Sequence, residues 1–500
     1  MQQAWRVSLL YCMVVSSLQV KLPEEERRAA STQTLKRINL DLLVYPLARC
    51  NDGSGGAYYF APASSRGGAM ARTDMWLVFL MGGGWCWDET SCASRYSTSP
   101  SLMSSKQFPE EREVDGILSA DPTISPLATA NKVYVPYCSS DAYVGDAQAS
   151  DATYGWHFRG QELIRATLKE ISRAHGLSKG HTLIFGGCSA GGRGAMFNLE
   201  YLPEFIPQGV KIAGFFDSPM WVDMEPLDAG AVSFQTQTAA VFKMTNAQSR
   251  MGTRCASIYT KESEQFKCLF GEYRAPTIDL PFLVAASQYD SFQIRSNTGV
   301  SPPYDADQLA YVERFRQRVQ QAMMRLNVSH VASFAYSCYG HCISEGKTFW
   351  TQQVTIGGTK KSLYDVTSEW MRKQLEGEQV IDKCGGFDCG CSCNSSLLND
   401  HGVRSSLVVP ADIARRQGIR RSARLAEEVE SAGSVSSLMH SCLGRSFPFL
   451  SLTLSAACLL SFLLVCSAGS RHARQADEMK ESSMCEVPAQ GAYMMGMRYQ

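Results

Sequence analysis

One heptapeptide limits the folds open to this chain more than any other feature. Gly186-Gly187-Cys188-Ser189-Ala190-Gly191-Gly192 follows the apolar run Thr182 to Phe185 and contains Gly-x-Ser-x-Gly from Gly187 to Gly191. A serine displayed on a sharp strand-to-helix turn needs small residues two positions before and after it, because a Cβ there collides across the turn. The flanks agree with such an elbow. The preceding run reads as a short buried strand, and Arg193 to Phe205 carries helix formers with apolar positions at helical spacing. A glycine-rich structural turn is the competing reading, and what separates the two is whether partners for the serine exist elsewhere.

Short apolar runs alternate with longer amphipathic ones from about Arg37 to Cys393. Strand candidates are Ala57 to Phe60, Trp76 to Leu80, Lys132 to Tyr137, Thr182 to Phe185, Val210 to Phe216, Phe282 to Ala286 and Val331 to Tyr336. Phe158 to Ala174 and Ala306 to Leu326 read as long amphipathic helices. The alternation predicts an α/β unit, a mostly parallel sheet with helices on both faces, with its working residues at the carboxyl ends of the strands.

A serine hydroxyl is a poor nucleophile at neutral pH, so Ser189 needs a histidine within reach and an acid to orient it. Of 8 histidines, His341 stands out, in a small-residue loop between Cys338 and Cys342 just after a strand candidate. His157, His175, His181 and His330 are its rivals within the globular unit. For the acid, Asp290 closes the strand candidate Phe282 to Ala286, and the order Ser189, Asp290, His341 is that of α/β-hydrolases. Asp217, also after a strand, is the main rival, with a turn-capping role as its alternative. Acyl transfer further requires backbone N–H donors for the oxyanion. Ala190 follows the nucleophile, and Gly82-Gly83-Gly84-Trp85 follows an early strand, with Cys86 and Cys92 spaced to clamp that loop.

The ends of the chain differ in kind from this unit. Arg6, the apolar stretch Val7 to Val15, then Ser16 and Ser17 predict a signal peptide over residues 1–17. Residues 447–468 carry no charge and have the length of a membrane-crossing helix, while the arginine-rich residues 395–446 read as a tether. The polar residues 469–500 argue against a lipid-anchor signal and, with Arg471, Arg474 and Lys480, read as a cytosolic tail of a single-pass type I protein. Eighteen cysteines then imply disulfides in an oxidising compartment. Thirteen of them, from Cys50 to Cys393, form an odd set, and the tight turn around Cys188 marks it as the expected free thiol. Sequons at Asn327 and Asn394 agree with a luminal face. The balance of 48 basic and 48 acidic residues gives no reason to expect a nucleic-acid partner.

The same residues carry a resemblance. Gly82-Gly83-Gly84-Trp85-Cys86 with Cys92, Pro136-Tyr137-Cys138-Ser139-Ser140-Asp141, Phe158-Arg159-Gly160, Gly187-Cys188-Ser189-Ala190-Gly191-Gly192, Tyr289-Asp290 with Gln293, and Cys338-Tyr339-Gly340-His341-Cys342 together resemble the pectin acetylesterase/Notum family. The resemblance covers residues 36–394 and implies an α/β-hydrolase-type carboxylesterase without metal or other cofactor. It puts Ser189, Asp290 and His341 at the triad positions and Gly84, Trp85 and Ala190 at the oxyanion-hole positions. Cys188 and the Cys86–Cys92 spacing look more like the pectin acetylesterase branch, which implies a short acyl group, acetyl above all, on a glycan hydroxyl. The competing expectations are a Notum-like enzyme that removes a lipid from a protein, a peptidase or thioesterase using the same triad, and a non-catalytic binding ectodomain on a hydrolase scaffold. A metal site at Cys384 to Cys393 is the least favoured, since that cluster lacks histidine and reads as disulfides.

Overall fold

The computed structural model describes residues 32–386, so the expected signal segment, tether, membrane span and tail lie outside the described residues. Within them, the strands are β1 (Gln33–Asn39), β2 (Ala57–Ala61), β3 (Arg72–Leu80), β4 (Glu111–Val114), β5 (Ala130–Val135), β6 (Thr182–Cys188), β7 (Lys211–Asp217), β8 (Phe282–Asp290), β9 (Val331–Gly340), β10 (Gln353–Ile356), β11 (Thr359–Ser362) and β12 (Gln379–Ile381). All but the β10–β11 hairpin join one 10-stranded sheet in the order β12-β9-β8-β7-β6-β3-β5-β2-β1-β4. From β12 to β5 every neighbouring pair is parallel, and β2, β1 and β4 extend the sheet antiparallel.

The longer helices are α1 (Glu89–Thr98), α2 (Gly160–His175), α3 (Ala190–Asn198), α4 (Phe234–Met244), α5 (Ser291–Thr298), α6 (Ala306–Met324) and α7 (Leu363–Arg372). Strand alternation divides the core between the two sheet faces. On β3, Trp76, Val78 and Leu80 join the apolar stripe of α2 (Leu163, Ile164, Leu168, Ile171) and residues of α3 to α6. Leu77 and Phe79 point the other way, into a second cluster with Leu363, Val366 and Trp370 of α7. The sheet is therefore covered on both faces, as the apolar runs of its central strands require.

The expected strands are all present, several of them extended by a few residues toward the carboxyl end. The sequence reading missed β1 and β4, whose Lys36, Arg37, Glu111, Arg112 and Glu113 give no apolar run, and the short β10, β11 and β12. The helix after the elbow begins at Ala190, ends at Asn198 and continues to Glu204 as tighter turns around Pro203. Proline has no N–H to donate and disfavours the α conformation in the residue before it, which accounts for the early stop.

Parallel order places the carboxyl ends of β3, β6, β7, β8 and β9 along one rim. Chain order reverses at β3, with β5 on one side and β6 on the other, and such a reversal opens a crevice at the strand ends.

Candidate active site

Ser189 occupies the turn between β6 and α3 with φ 56° and ψ −123°, a conformation that non-glycine residues rarely adopt. Its N–H donates to the Asp217 carbonyl at 2.9 Å, and its own carbonyl accepts from the Arg193 amide at 2.8 Å, which begins α3. The surrounding glycines are required by contact. A Cβ on Gly191 would collide with the Leu80 carbonyl, and one on Gly82 would lie 2.7 Å from the Cys188 carbonyl oxygen and 3.0 Å from Ser189 Cβ.

Asp290 and His341 meet because β8 and β9 run parallel with Asp290 opposite Gly340, so the residue after Gly340 lies beside the carboxylate. His341 Nδ1 and Asp290 Oδ2 are 2.7 Å apart, with both side chains 4% exposed. The other carboxylate oxygen accepts from the Gln293 N–H at 2.9 Å and caps α5. Burial alone would lower the imidazole pKa, but the Asp290 charge and hydrogen bond outweigh it and hold His341 above its ordinary value. His341 Nε2 is buried without a hydrogen-bond partner, so the bond from the Ser189 hydroxyl is not formed in this state. Such contacts are often long before substrate binds.

The rival acid, Asp217, does a different job. Its Oδ2 accepts from the Ser344 N–H at 2.8 Å and its Oδ1 from the Ser218 hydroxyl at 3.0 Å, while Ser218 Oγ accepts from the Cys342 N–H at 3.0 Å. Together with its carbonyl bond to Ser189, Asp217 ties the serine turn to the histidine loop. The expectation of a free thiol at Cys188 is overturned, because Cys188 is disulfide-bonded to Cys342. The crowding of the turn lies on the α3 side of the sheet, whereas alternation along β6 aims Cys188 at the opposite face, where Cys342 arrives. This pairing and the bonds of Asp217 were invisible in sequence because both depend on which strand lies next to which.

The candidate oxyanion loop is held by its carbonyls. Arg95 Nη2 donates to the Gly83 oxygen at 2.6 Å and the Tyr137 hydroxyl to the Gly84 oxygen at 2.8 Å. Gly83 and Gly84, at φ 142° and 66°, give the loop its shape, and the Cys86–Cys92 disulfide closes it as expected. The amides of Gly84, Trp85 and Ala190 have no acceptor among the described residues. Beside the loop, Trp85, Trp221, Phe234 and Phe292 pack on one another, and the Phe292 ring centroid lies 5.4 Å from that of His341.

The rival histidines have structural partners. His175 meets the Tyr58 hydroxyl at 2.9 Å, His181 accepts from Trp76 at 3.1 Å, the Ala149 amide donates to His157 at 3.3 Å, and His330 Nε2 lies 3.2 Å from the Ile278 carbonyl. Cys384, the described member of the C-terminal cysteine cluster, is disulfide-bonded, which removes it as a metal thiolate.

Comparison with known proteins places this geometry in context. The profile of the family described as Pectinacetylesterase matches residues 31–394. The palmitoleoyl-protein carboxylesterase notum1 of Xenopus laevis is 28% identical over 406 residues, covering 77% of this chain and 79% of its own. Pectin acetylesterase 11 of Arabidopsis thaliana is 26% identical over 375 residues, covering 71% and 91%. Among solved structures, the Wnt deacylase Notum from Drosophila superposes with a TM-score of 0.63 at 30% identity, covering 72% of this chain and 99% of that one. The profile, the shared fold and the strand-end arrangement agree, and this chain belongs to the pectinacetylesterase family of carboxylic ester hydrolases.

Proposed function

We propose that Ser189 is the nucleophile of this carboxylesterase, with His341 as its base and Asp290 as the group that holds the base. The observation that carries the reading is the Asp290–His341 pair at neighbouring strand ends, on the same rim as a serine in the strained elbow conformation. His341 Nε2 takes the Ser189 proton as Oγ attacks the ester carbonyl, and the Gly84, Trp85 and Ala190 amides receive the oxyanion. Collapse passes that proton to the leaving alcohol and leaves an acyl-enzyme, which water hydrolyses by the same steps in reverse. Ser189→Ala should lose about 10³-fold or more in kcat and all labelling by a fluorophosphonate. Labelling retained at another serine would refute the assignment.

The acyl group is short, acetyl in the first place, and its carrier is a glycan hydroxyl. The mutual packing of Trp85, Trp221, Phe234 and Phe292, with the Phe292 ring 5.4 Å from that of His341, supports a small acyl site. A lipid esterase would instead gain about 0.8 kcal/mol for each methylene buried. The second reading, removal of a lipid from a protein, is favoured by the 30% identity to the Wnt deacylase. p-Nitrophenyl esters from acetate to octanoate separate the two: kcat/KM that rises along the series refutes the acetylesterase reading and leaves the triad standing.

The disulfides fit an oxidising compartment, and the catalytic unit is luminal or extracellular. No helix among the described residues is long and apolar enough to cross a membrane, and the uncharged residues 447–468 support a single C-terminal span. Protease digestion of sealed vesicles tests this. A tagged C-terminus digested from outside while the catalytic unit is protected fits the type I arrangement, and the opposite pattern refutes it.

A further inference from the structure

Arg193 lies one helical turn beyond Ser189 and is 0% exposed. Its guanidinium carbon lies 4.1 Å and 3.5 Å from the ring centroids of Trp85 and Trp221, two indoles that meet edge to face. Nη2 donates to the Leu269 carbonyl at 2.8 Å, while Nε and Nη1 are buried without a partner. No carboxylate pairs with it among the described residues. Arg274, equally buried, has Glu200. An arginine enclosed without a counter-charge costs folding free energy, so its presence needs another reason. One is at hand in the ring it touches, since Trp85 belongs to the loop whose amides face the candidate oxyanion. Arg95, 3% exposed, grips the same loop through the Gly83 carbonyl and also lacks a carboxylate partner.

We propose that Arg193 is a positioning residue for the transition state: its unpaired charge, held behind Trp85, favours the oxyanion that forms at the Gly84, Trp85 and Ala190 amides. A positive charge in this place acts where negative charge develops and nowhere in the neutral ester, so it raises kcat without tightening substrate binding. The dry surroundings keep the interaction from being screened.

The proposal rests on the esterase reading, and its test is arranged so that the two fail separately. Wild-type turnover of p-nitrophenyl acetate tests the reading. Arg193→Met keeps the length and the apolar contact with both indoles but removes the charge, and Arg193→Lys keeps the charge but removes the planar guanidinium. The Met variant should lose about 30-fold in kcat, the size of effect that one charge exerts over several ångströms at an effective dielectric of about 20, with KM within about twofold. Its melting temperature should equal or exceed that of wild type, because an unpaired buried cation is gone. The Lys variant should keep kcat within about threefold. Turnover by the Met variant at the wild-type rate overturns the proposal while the esterase reading stands. So does equal damage in both variants, which would make the shape of the guanidinium and not its charge the working feature. A Met variant that fails to fold also overturns it, since Arg193 would then be structural.

Discussion

Replacing Cys188 and Cys342 together by alanine should destabilise the protein by a calculable amount and slow it without silencing it. The bridge closes a loop of 154 residues, and the chain-entropy relation gives about 17 cal/mol/K, or about 5 kcal/mol at 25 °C, as an upper bound. The Cys255–Cys268 bridge inside this loop spans 13 residues and changes the figure by less than about 0.1 kcal/mol, so it can be ignored. With about 2.1 cal/mol/K of unfolding entropy per residue over roughly 350 residues, a loss of about 2–5 kcal/mol lowers the melting temperature by about 3–7 °C. Activity should fall only about 10-fold, because the Asp217 carbonyl and carboxylate still join the Ser189 turn to the histidine loop. Calorimetry on the double variant and kcat on p-nitrophenyl acetate read the two effects. A variant that melts with wild type refutes the reasoning, as does alkylation of Cys188 in the native protein before any reductant is added.

Asp290→Asn should cost about 10³-fold or more in kcat and Asp217→Asn about 10-fold, since the first turns the imidazole and the second only loosens its loop; the reverse ranking in steady-state kinetics would exchange their roles. Gly82→Ala should reduce kcat by about 10²-fold with near-normal secondary structure by circular dichroism, because its methyl presses on Ser189 Cβ and the Cys188 carbonyl, and full activity would show that the turn can yield. Burial, with help from the Asp217 charge and against Arg112, pushes the Glu345 carboxyl up to about 7. Its folded pKa lies above its unfolded one, so its contribution to stability is complete below about pH 4.5 and is lost as pH rises through about 7. Melting curves should therefore show Glu345→Gln gaining on wild type between pH 5 and pH 8, by at most about 3 kcal/mol, and a gap that does not change with pH would contradict this.

The central strands were legible because burial on both faces writes them as unbroken apolar runs, such as Phe282 to Ala286, and the elbow was legible because its glycines are dictated by collision. Strands β1 and β4 were not, since an edge that meets water carries lysine, arginine and glutamate and looks like loop. The Asp290–His341 pair could be anticipated from chain order, yet its contact depends on a register that only the paired strands fix. Asp217 was noticed for its position after a strand, while its bonds to Ser344 and Ser218 come from a loop 127 residues further on and from its own neighbour. Arg193 was read as one more helix residue. Nothing in a linear pattern reveals that two tryptophans from distant loops will enclose it.

The aromatic wall beside His341 has an origin that matters for how such an enzyme can change. Ser189, Asp290, His341 and the oxyanion loop all hang from strand ends, where a shifted backbone disturbs every partner at once. Phe234 comes from α4, in the long excursion between β7 and β8. That excursion holds none of the proposed triad residues, although its Trp221 and Leu269 contact Arg193. On the proposed reading, a laboratory library confined to α4, with the strand ends, Trp221 and Leu269 left alone, should yield catalysts that differ in the acids they release more than in how they release them.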